Sequence, residues 1–301
     1  MAQTLENITL ARMNSAHPVW KNVRPRGDAR AVAFTLIELL AVVAMIAVLA
    51  AMLLPAISKA KMRTQGVACL NNNRQLATAW LLYADDHSDR IAYNLGGPDR
   101  TSVAMRTNLN WVNNILDWST SNSDNTNTAT ITEASLAPYA NRVVSIYRCP
   151  SDHALSAIQR QEGWEARVRS YSMNAMVGDA GELSNAGFNV NNPEYVQFFR
   201  LSSIPRPASI FVFLDEHPDS INDGYFLNKA EYHQWVDLPA SYHNGAATFS
   251  FADGHSQLRR WEHARTKKPS RPDAAVLPLY VPSSEIGDFN WVVEHMSIGR
   301  D

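Results

Sequence analysis

The chain has 301 residues, of which 46% are hydrophobic and 19% charged, so it can bury a substantial core and is not disordered overall. Its 27 basic and 29 acidic residues nearly cancel, and the formal charge of −2 excludes the strongly basic domain typical of nucleic-acid-binding proteins. The mean hydropathy is slightly negative, which excludes a polytopic membrane protein. We therefore expect no nucleic-acid partner and at most a single membrane anchor.

The most apolar part of the chain is the run from Phe34 to Leu54. At about 1.5 Å per residue in a helix, this run spans roughly the 30 Å of a bilayer core, so it predicts a transmembrane helix. A buried core helix is the alternative, but such helices are usually shorter. Glu38 is the one ionisable residue in the run. An acid in hydrocarbon costs about 2.5 kcal/mol or more, so Glu38 requires a partner from outside the run.

Basic residues flank the apolar run on both sides. Before it lie Arg12, Lys21, Arg24, Arg26 and Arg30, and after it come Lys59, Lys61 and Arg63. Because the excess of basic residues marks the cytoplasmic side, this distribution predicts that residues 1–33 are cytoplasmic and that the rest of the chain is exported.

Three kinds of export signal compete for this N-terminal region. A cleaved signal peptide would have a shorter apolar stretch, no internal acid and a small-residue site after it. A lipoprotein signal would use Cys69, which lies beyond the apolar run and three basic residues. The third possibility is a cut between Ala33 and Phe34, which leaves the apolar helix on the mature protein and makes Glu38 its fifth residue.

The third possibility resembles the type IV prepilins and the pseudopilins of type II secretion. Their signature, a small residue followed by Phe-Thr-Leu-Ile-Glu and an apolar helix, stands here as residues 33–38, with Ala33 where the family has Gly. The resemblance implies that a prepilin peptidase cuts after Ala33 and that the amine of Phe34 is methylated. It also implies that Glu38 pairs with the N-terminal amine of a neighbouring subunit, which supplies the missing partner.

The same resemblance implies the partners and the location of the chain. The partners would be prepilin peptidase, other pilin or pseudopilin subunits and an inner-membrane assembly platform. The precursor would cross the inner membrane once, with a cytoplasmic leader and a periplasmic C-terminal part, and would move into a type IV pilus-like filament or a type II secretion pseudopilus. The alternative is a membrane-anchored extracytoplasmic binding protein that does not polymerise.

Four segments follow from the pattern of the chain: a leader (1–33), a transmembrane helix (34–54), a soluble continuation of that helix (55–84) and a β-rich globular part (85–301). We predict one helix over 34–84, bent at Pro55, with two helices hinged at Gly66 as the alternative. Beyond it, residues 119–132 predict a polar loop and 209–214 a buried strand. Residues 248–251 and 256–261 flank Asp253-Gly254 and predict a hairpin. The fold class is α+β and pilin-like, with a long N-terminal helix and antiparallel strands after it.

A second resemblance lies in the C-terminal half. Nine residues separate His243 from Asp253-Gly254, as in the H-X9-DG element of a large group of prepilin-like proteins. Segments 147–152, 169–174 and 215–219 also look like that group. This resemblance supports the fold class more than any function.

Carboxylates and imidazoles near the predicted strand ends are candidate metal ligands: Asp215, His217, Asp219, His243 and Asp253. Oxygen ligands favour Ca²⁺ and imidazoles favour Zn²⁺, so the ligand types leave the metal open. The alternative is that Asp253-Gly254 is only a turn and that His243 packs at a strand end.

The two cysteines, Cys69 and Cys149, would both lie outside the cytoplasm, where an oxidising compartment permits a disulfide between them. Two free buried thiols are the alternative. The sequence contains no HExxH, no GxSxG and no glycine-rich phosphate loop, so we do not expect an enzyme.

Overall fold

The structure is a computed structural model that describes residues 34–96, 109–184, 186–272 and 276–300. The predicted leader, including Ala33, lies outside the described residues. The helices within these ranges are α1 (Leu36–Asp86), α2 (Ala129–Thr132), α3 (Ala157–Gln161) and α4 (Gly287–Met296). The strands are β1 (Tyr171–Asn174), β2 (Phe211–Asp215), β3 (Tyr225–Phe226), β4 (Gln234–Trp235), β5 (Ala246–Phe251), β6 (Ser256–Arg260) and β7 (Leu279–Tyr280).

The described residues divide into two units between Met52 and Leu53, and α1 begins in the first unit and ends in the second. In the described part of the first unit the large apolar side chains are exposed, for example Leu36 at 82% and Met52 at 71%. Of the described residues, only α1 forms a helix long and apolar enough to cross a membrane. The chain therefore has a candidate single-pass anchor at the predicted place.

The helix predicted over 34–84 is confirmed as one continuous element of 51 residues that runs through Pro55 and Gly66. In the second unit one face of α1 is buried, with spacings of three or four residues that bring the side chains onto one stripe. The members of this stripe are Gly66, Cys69, Asn73, Leu76, Trp80 and Tyr83. The helical spacing of the sequence thus continues into the core of the second unit.

Five strands form the main sheet in the order β3-β1-β2-β5-β6, and β4 pairs with β7 in a separate ribbon. The neighbours β1–β2, β2–β5 and β5–β6 are antiparallel, whereas β3 runs parallel to β1. The α+β class, with a long helix followed by a β-rich part, is confirmed, and the single parallel pair makes the sheet mixed. The predicted strand at 209–214 corresponds to β2, and the predicted hairpin corresponds to β5 and β6.

The central strands β2 and β5 are buried along their whole length, so both faces of the sheet are covered. Successive strand residues point to opposite faces. Phe249 and Phe251 of β5 therefore join a cluster with Phe289 of α4, while Thr248 faces the other way and hydrogen-bonds with Asn73 of α1. The polar loop predicted at 119–132 contains a 3₁₀ turn, Ser123–Asn125, and the short helix α2.

The interior of the second unit also holds ionisable groups. Arg169 is fully buried and donates hydrogen bonds to the side chains of Asn114 and Ser172 and to the carbonyls of Tyr171 and Asn222. These partners come from separate parts of the sequence, so the guanidinium holds several segments together. Glu216, 1% exposed, follows the end of β2.

Burial of Glu216 gives the second unit a predictable pH dependence. Desolvation raises the pKa of Glu216 from 4.5 to about 7, so the folded chain binds more protons than the unfolded chain between these values. The unfolding free energy therefore falls as pH rises through this window. Glutamine does not titrate, so its unfolding free energy should not fall in this window. From pH 5 to pH 8, we expect the unfolding free energy of Glu216→Gln to rise by more than about 1 kcal/mol relative to that of the wild type. Denaturant unfolding of both proteins across this range checks it, and parallel pH profiles would contradict it.

Candidate functional site

Four side chains that commonly bind metals meet in the interior of the second unit. Cys69 lies on α1, Cys149 follows the 3₁₀ turn Val144–Tyr147, Asp215 ends β2, and His243 lies in the turn before β5. Their ligand atoms, one from each residue, all lie within 4.8 Å of one another. Cys69, Cys149 and Asp215 are fully buried, and His243 is 5% exposed. We call these four residues the buried ligand cluster.

The carboxylate of Asp215 is fixed by Thr248 of the neighbouring strand. The backbone N–H of Thr248 donates to Oδ2 at 3.0 Å, and its hydroxyl donates to Oδ1 at 2.9 Å. The register of β2 and β5, in which Leu214 lies opposite Phe249, places Thr248 beside Asp215. The sheet therefore sets the orientation of this carboxylate.

The two thiols contact different members of the cluster. Cys69 Sγ donates to Asp215 Oδ1 at 3.0 Å and lies 2.9 Å from the hydroxyl of Tyr171. Cys149 Sγ lies 3.3 Å from His243 Nε2, which is also 3.5 Å from Asp215 Oδ2. The imidazole packs close to α1, because a Cβ added at Gly66 would come within 3.5 Å of its Nδ1.

The charges of the cluster follow from its burial and its hydrogen bonds. Desolvation raises the pKa of Cys69 well above its usual value and also raises that of Cys149, so both are neutral thiols at pH 7. Burial lowers the pKa of His243, but hydrogen bonds with Asp215 and Cys69 outweigh it and raise the pKa to about 10. Burial thus favours the neutral forms of both thiols, and Asp215 favours the charged form of His243.

The arrangement differs from that of a catalytic Cys–His–Asp triad. In a triad the acid orients one ring nitrogen and the nucleophile faces the other. Here Cys149 and Asp215 both face Nε2 of His243, and Nδ1 has no hydrogen-bond partner in the described part of the chain. Buried neutral thiols are also poor nucleophiles. The four groups together could hold a metal ion.

Of the five predicted metal ligands, Asp215 and His243 belong to the buried ligand cluster, whereas His217 Nδ1 lies 3.8 Å from Asp219 Oδ2 outside it. His217 Nδ1 accepts from the backbone N–H of Asp219, and its Nε2 donates to the carbonyl of Lys268. Asp219 accepts from Ser270 and from the backbone of Arg271. His217 and Asp219 therefore lie outside the buried ligand cluster, and both side chains contact the segment 268–271.

Asp253 is also separate from the buried ligand cluster. Its Oδ1 accepts from the backbone N–H of His255, and Gly254 adopts a left-handed φ of 89°. Asp253-Gly254 is thus the turn of the β5–β6 hairpin, as the alternative to metal binding proposed.

The cysteines are the cluster members that sequence reasoning did not assign to a metal. Both are free thiols in the structure, which does not contain the predicted disulfide and shows the alternative of two buried thiols. The available signal was the combination of two cysteines with Asp215 and His243 in one chain. It is weak, because the residues lie far apart in sequence and have no metal-binding spacing.

A second candidate site lies at the start of α1, in the first unit. Glu38 Oε2 accepts from the backbone N–H of Thr35 at 2.9 Å and from its hydroxyl at 2.8 Å. The Thr35 hydroxyl accepts in turn from the backbone N–H of Glu38 at 3.2 Å. This is a capping box, which satisfies N–H groups that the first turn of a helix leaves free. The Thr-x-x-Glu spacing was a signal for it in the sequence.

The described part of the chain thus contains one apolar helix long enough to cross a membrane, followed by an α+β unit with a buried cluster that could hold a metal. No protein-family model, curated protein or solved structure matches this chain.

Proposed function

We propose that the chain is a pseudopilin or minor pilin-like subunit that anchors in a membrane and assembles into a type II secretion pseudopilus or a type IV pilus-like filament. The observation that carries the proposal is the exposed apolar segment that begins Phe34-Thr35-Leu36-Ile37-Glu38. In this proposal the subunit acts by assembly: its apolar helix is surrounded first by lipid and then, in the filament, by the helices of other subunits.

The exposure of the segment requires a nonaqueous environment. Large apolar side chains are exposed throughout residues 34–54, with Phe34 at 68% and Leu54 at 66%. Soluble monomers rarely expose a continuous apolar surface of this extent, so such a surface marks a membrane or protein contact. In the proposed function the bilayer covers it before assembly, and the helices of neighbouring subunits cover it afterwards.

Glu38 distinguishes this segment from an ordinary membrane anchor. The capping box uses Oε2 of its carboxylate, and no described residue donates a hydrogen bond to Oε1. A carboxylate in an apolar environment is costly unless it is paired. The methylated amine of Phe34 from a neighbouring subunit would supply that pairing, so Glu38 is the proposed assembly residue.

The proposal also sets the partners and topology. Prepilin peptidase would cleave between Ala33 and Phe34, and an inner-membrane assembly platform would move the mature subunits into the filament. The excess of basic residues before the apolar run supports a cytoplasmic leader and a periplasmic location for the rest of the chain.

N-terminal mass spectrometry of the chain co-expressed with a prepilin peptidase tests the proposal. We expect a mature N-terminus at Phe34 that carries one methyl group. A matched Ala33→Leu variant should stay uncut, because leucine replaces the small residue that precedes the proposed cleavage site. A membrane-bound chain that retains its leader beside an active peptidase would contradict the proposal. A cleaved chain that never enters sheared filaments would instead be the anchored binding protein.

A further inference from the structure

We propose that Cys69, Cys149, Asp215 and His243 bind one structural Zn²⁺ ion through two thiolates, one carboxylate oxygen and one imidazole nitrogen. The site lies wholly within the second unit and is independent of the proposed assembly function.

The spacing of the donor atoms fits a tetrahedral ion. Zinc bonds of about 2.0–2.3 Å require ligand atoms roughly 3.3–3.8 Å apart at the edges of a tetrahedron. Cys149 Sγ and His243 Nε2 are 3.3 Å apart, and that nitrogen is 3.5 Å from Asp215 Oδ2. Cys69 Sγ is 3.0 Å from the same carboxylate. Three of the six donor pairs therefore lie within about 0.3 Å of the required range, and all four donors lie within 4.8 Å of one another.

The ligand types select zinc over calcium. Calcium takes six to eight oxygen ligands, whereas this cluster offers one carboxylate among two sulfurs and a nitrogen. Thiolates and imidazole are the preferred ligands of zinc. All four donors come from buried protein side chains, which is typical of closed structural sites rather than of catalytic sites with an open position.

Residues around the buried ligand cluster form hydrogen bonds that orient its ligand side chains. Thr248 fixes the carboxylate of Asp215 through two hydrogen bonds. The Tyr171 hydroxyl lies 2.9 Å from Cys69 Sγ, where it can donate to a thiolate. Asn73 donates to the Thr248 hydroxyl at 3.2 Å and holds it in place. Such outer contacts orient the ligands and typically contribute 10–100-fold to metal affinity.

The four ligands also explain what the ion would do. Cys69 belongs to α1, Asp215 to the sheet, and Cys149 and His243 to connecting segments. An ion bound to all four would link the second part of α1 to the sheet. Because the site forms only in the folded chain, metal binding would raise the free energy of unfolding.

The test uses the full-length protein, purified from membranes in a mild detergent without chelators and in the presence of a reducing agent. Elemental analysis should find about one zinc per chain. Replacement by Co²⁺ should give a thiolate-to-cobalt charge-transfer band and the intense visible bands of a tetrahedral ion. Thiol quantification and peptide mass spectrometry on a sample purified without the reducing agent report any disulfide.

A graded set of variants locates the site. Cys69→Ser and Cys149→Ser should each lower zinc affinity by at least about 100-fold. Thr248→Val should lower it by about 10–100-fold, because it removes the hydroxyl that donates to Asp215 Oδ1 but keeps the backbone N–H that donates to Oδ2. Asp253→Asn is the matched control, since Asp253 lies in the exposed hairpin turn, and its zinc affinity should be unchanged.

Several results would overturn the proposal. These are a folded wild-type chain that takes up neither zinc nor cobalt, a Cys69–Cys149 disulfide in the native protein, and a folded serine variant that retains full zinc affinity. If both serine variants fail to fold, the wild-type cobalt spectrum decides alone. A bound ion without a thiolate charge-transfer band excludes the cysteines as ligands.

Discussion

A Glu38→Gln variant is expected to enter the membrane and be cleaved normally but fail to join filaments with other subunits. Glutamine keeps the side-chain oxygen that the capping box requires, so α1 should still begin at the same residue. It removes the charge that would pair with a neighbouring N-terminal amine. The neighbouring amine would then stay unpaired in hydrocarbon at a cost of about 2.5 kcal/mol, which corresponds to more than about 10-fold less incorporation. Quantifying the variant in sheared filaments against its amount in the membrane measures this effect.

Thr35→Val provides the matched control for the capping role of Glu38. Valine removes the hydroxyl that exchanges hydrogen bonds with Glu38 but leaves the carboxylate charged. The loss of a cap costs about 1 kcal/mol of helix stability, so this variant should assemble nearly as well as the wild type. Normal incorporation of Glu38→Gln, or a greater defect in Thr35→Val, is incompatible with charge pairing as the role of Glu38.

Replacing Arg169 with methionine is expected to destabilise the second unit by about 3–5 kcal/mol, the range for breaking a buried charged network. The change leaves Asn114 and the carbonyls of Tyr171 and Asn222 without the donors that Arg169 provides. It also removes the cation that favours the charged form of Glu216. Methionine has a comparable length, so lost packing should contribute little. Thermal unfolding followed by tryptophan fluorescence should show a decrease on the order of 10 °C.

Arg160→Met is the control for the Arg169 substitution. Arg160 is exposed in the last turn of α3, where replacement should change the unfolding free energy by no more than about 0.5 kcal/mol. Equal melting temperatures for both variants would show that the buried hydrogen bonds of Arg169 do not stabilise the fold.

Much of the fold was predictable because its strongest signals are local. The apolar run and the helical spacing that follows it predicted α1 within two residues of its observed ends. Asp253-Gly254 predicted the β5–β6 turn, since that dipeptide favours the positive φ found at Gly254. The parallel pairing of β3 with β1 was not predictable, because a strand of two residues has no periodicity.

The metal-ligand prediction grouped residues that are close in sequence, whereas the buried ligand cluster joins residues that are far apart. Asp215, His217 and Asp219 alternate, so they would share one face if the strand continued. However, β2 ends at Asp215 and the chain then turns. The side chains of His217 and Asp219 therefore contact residues 268–271 instead. Cys69 and Cys149 join Asp215 only through tertiary packing of α1 on the sheet. Their pairing with His243 depends on long-range contacts that no short spacing encodes.

The two outer strands of the main sheet bear on how copies of this chain could associate. Open sheet edges are templates for strand addition and amyloid-like growth, and proteins blunt them with short strands or charged side chains. β3 is only two residues long, and β6 carries Arg259 and Arg260 on the opposite border. Both borders of the main sheet therefore disfavour cross-β polymerisation through backbone pairing between copies.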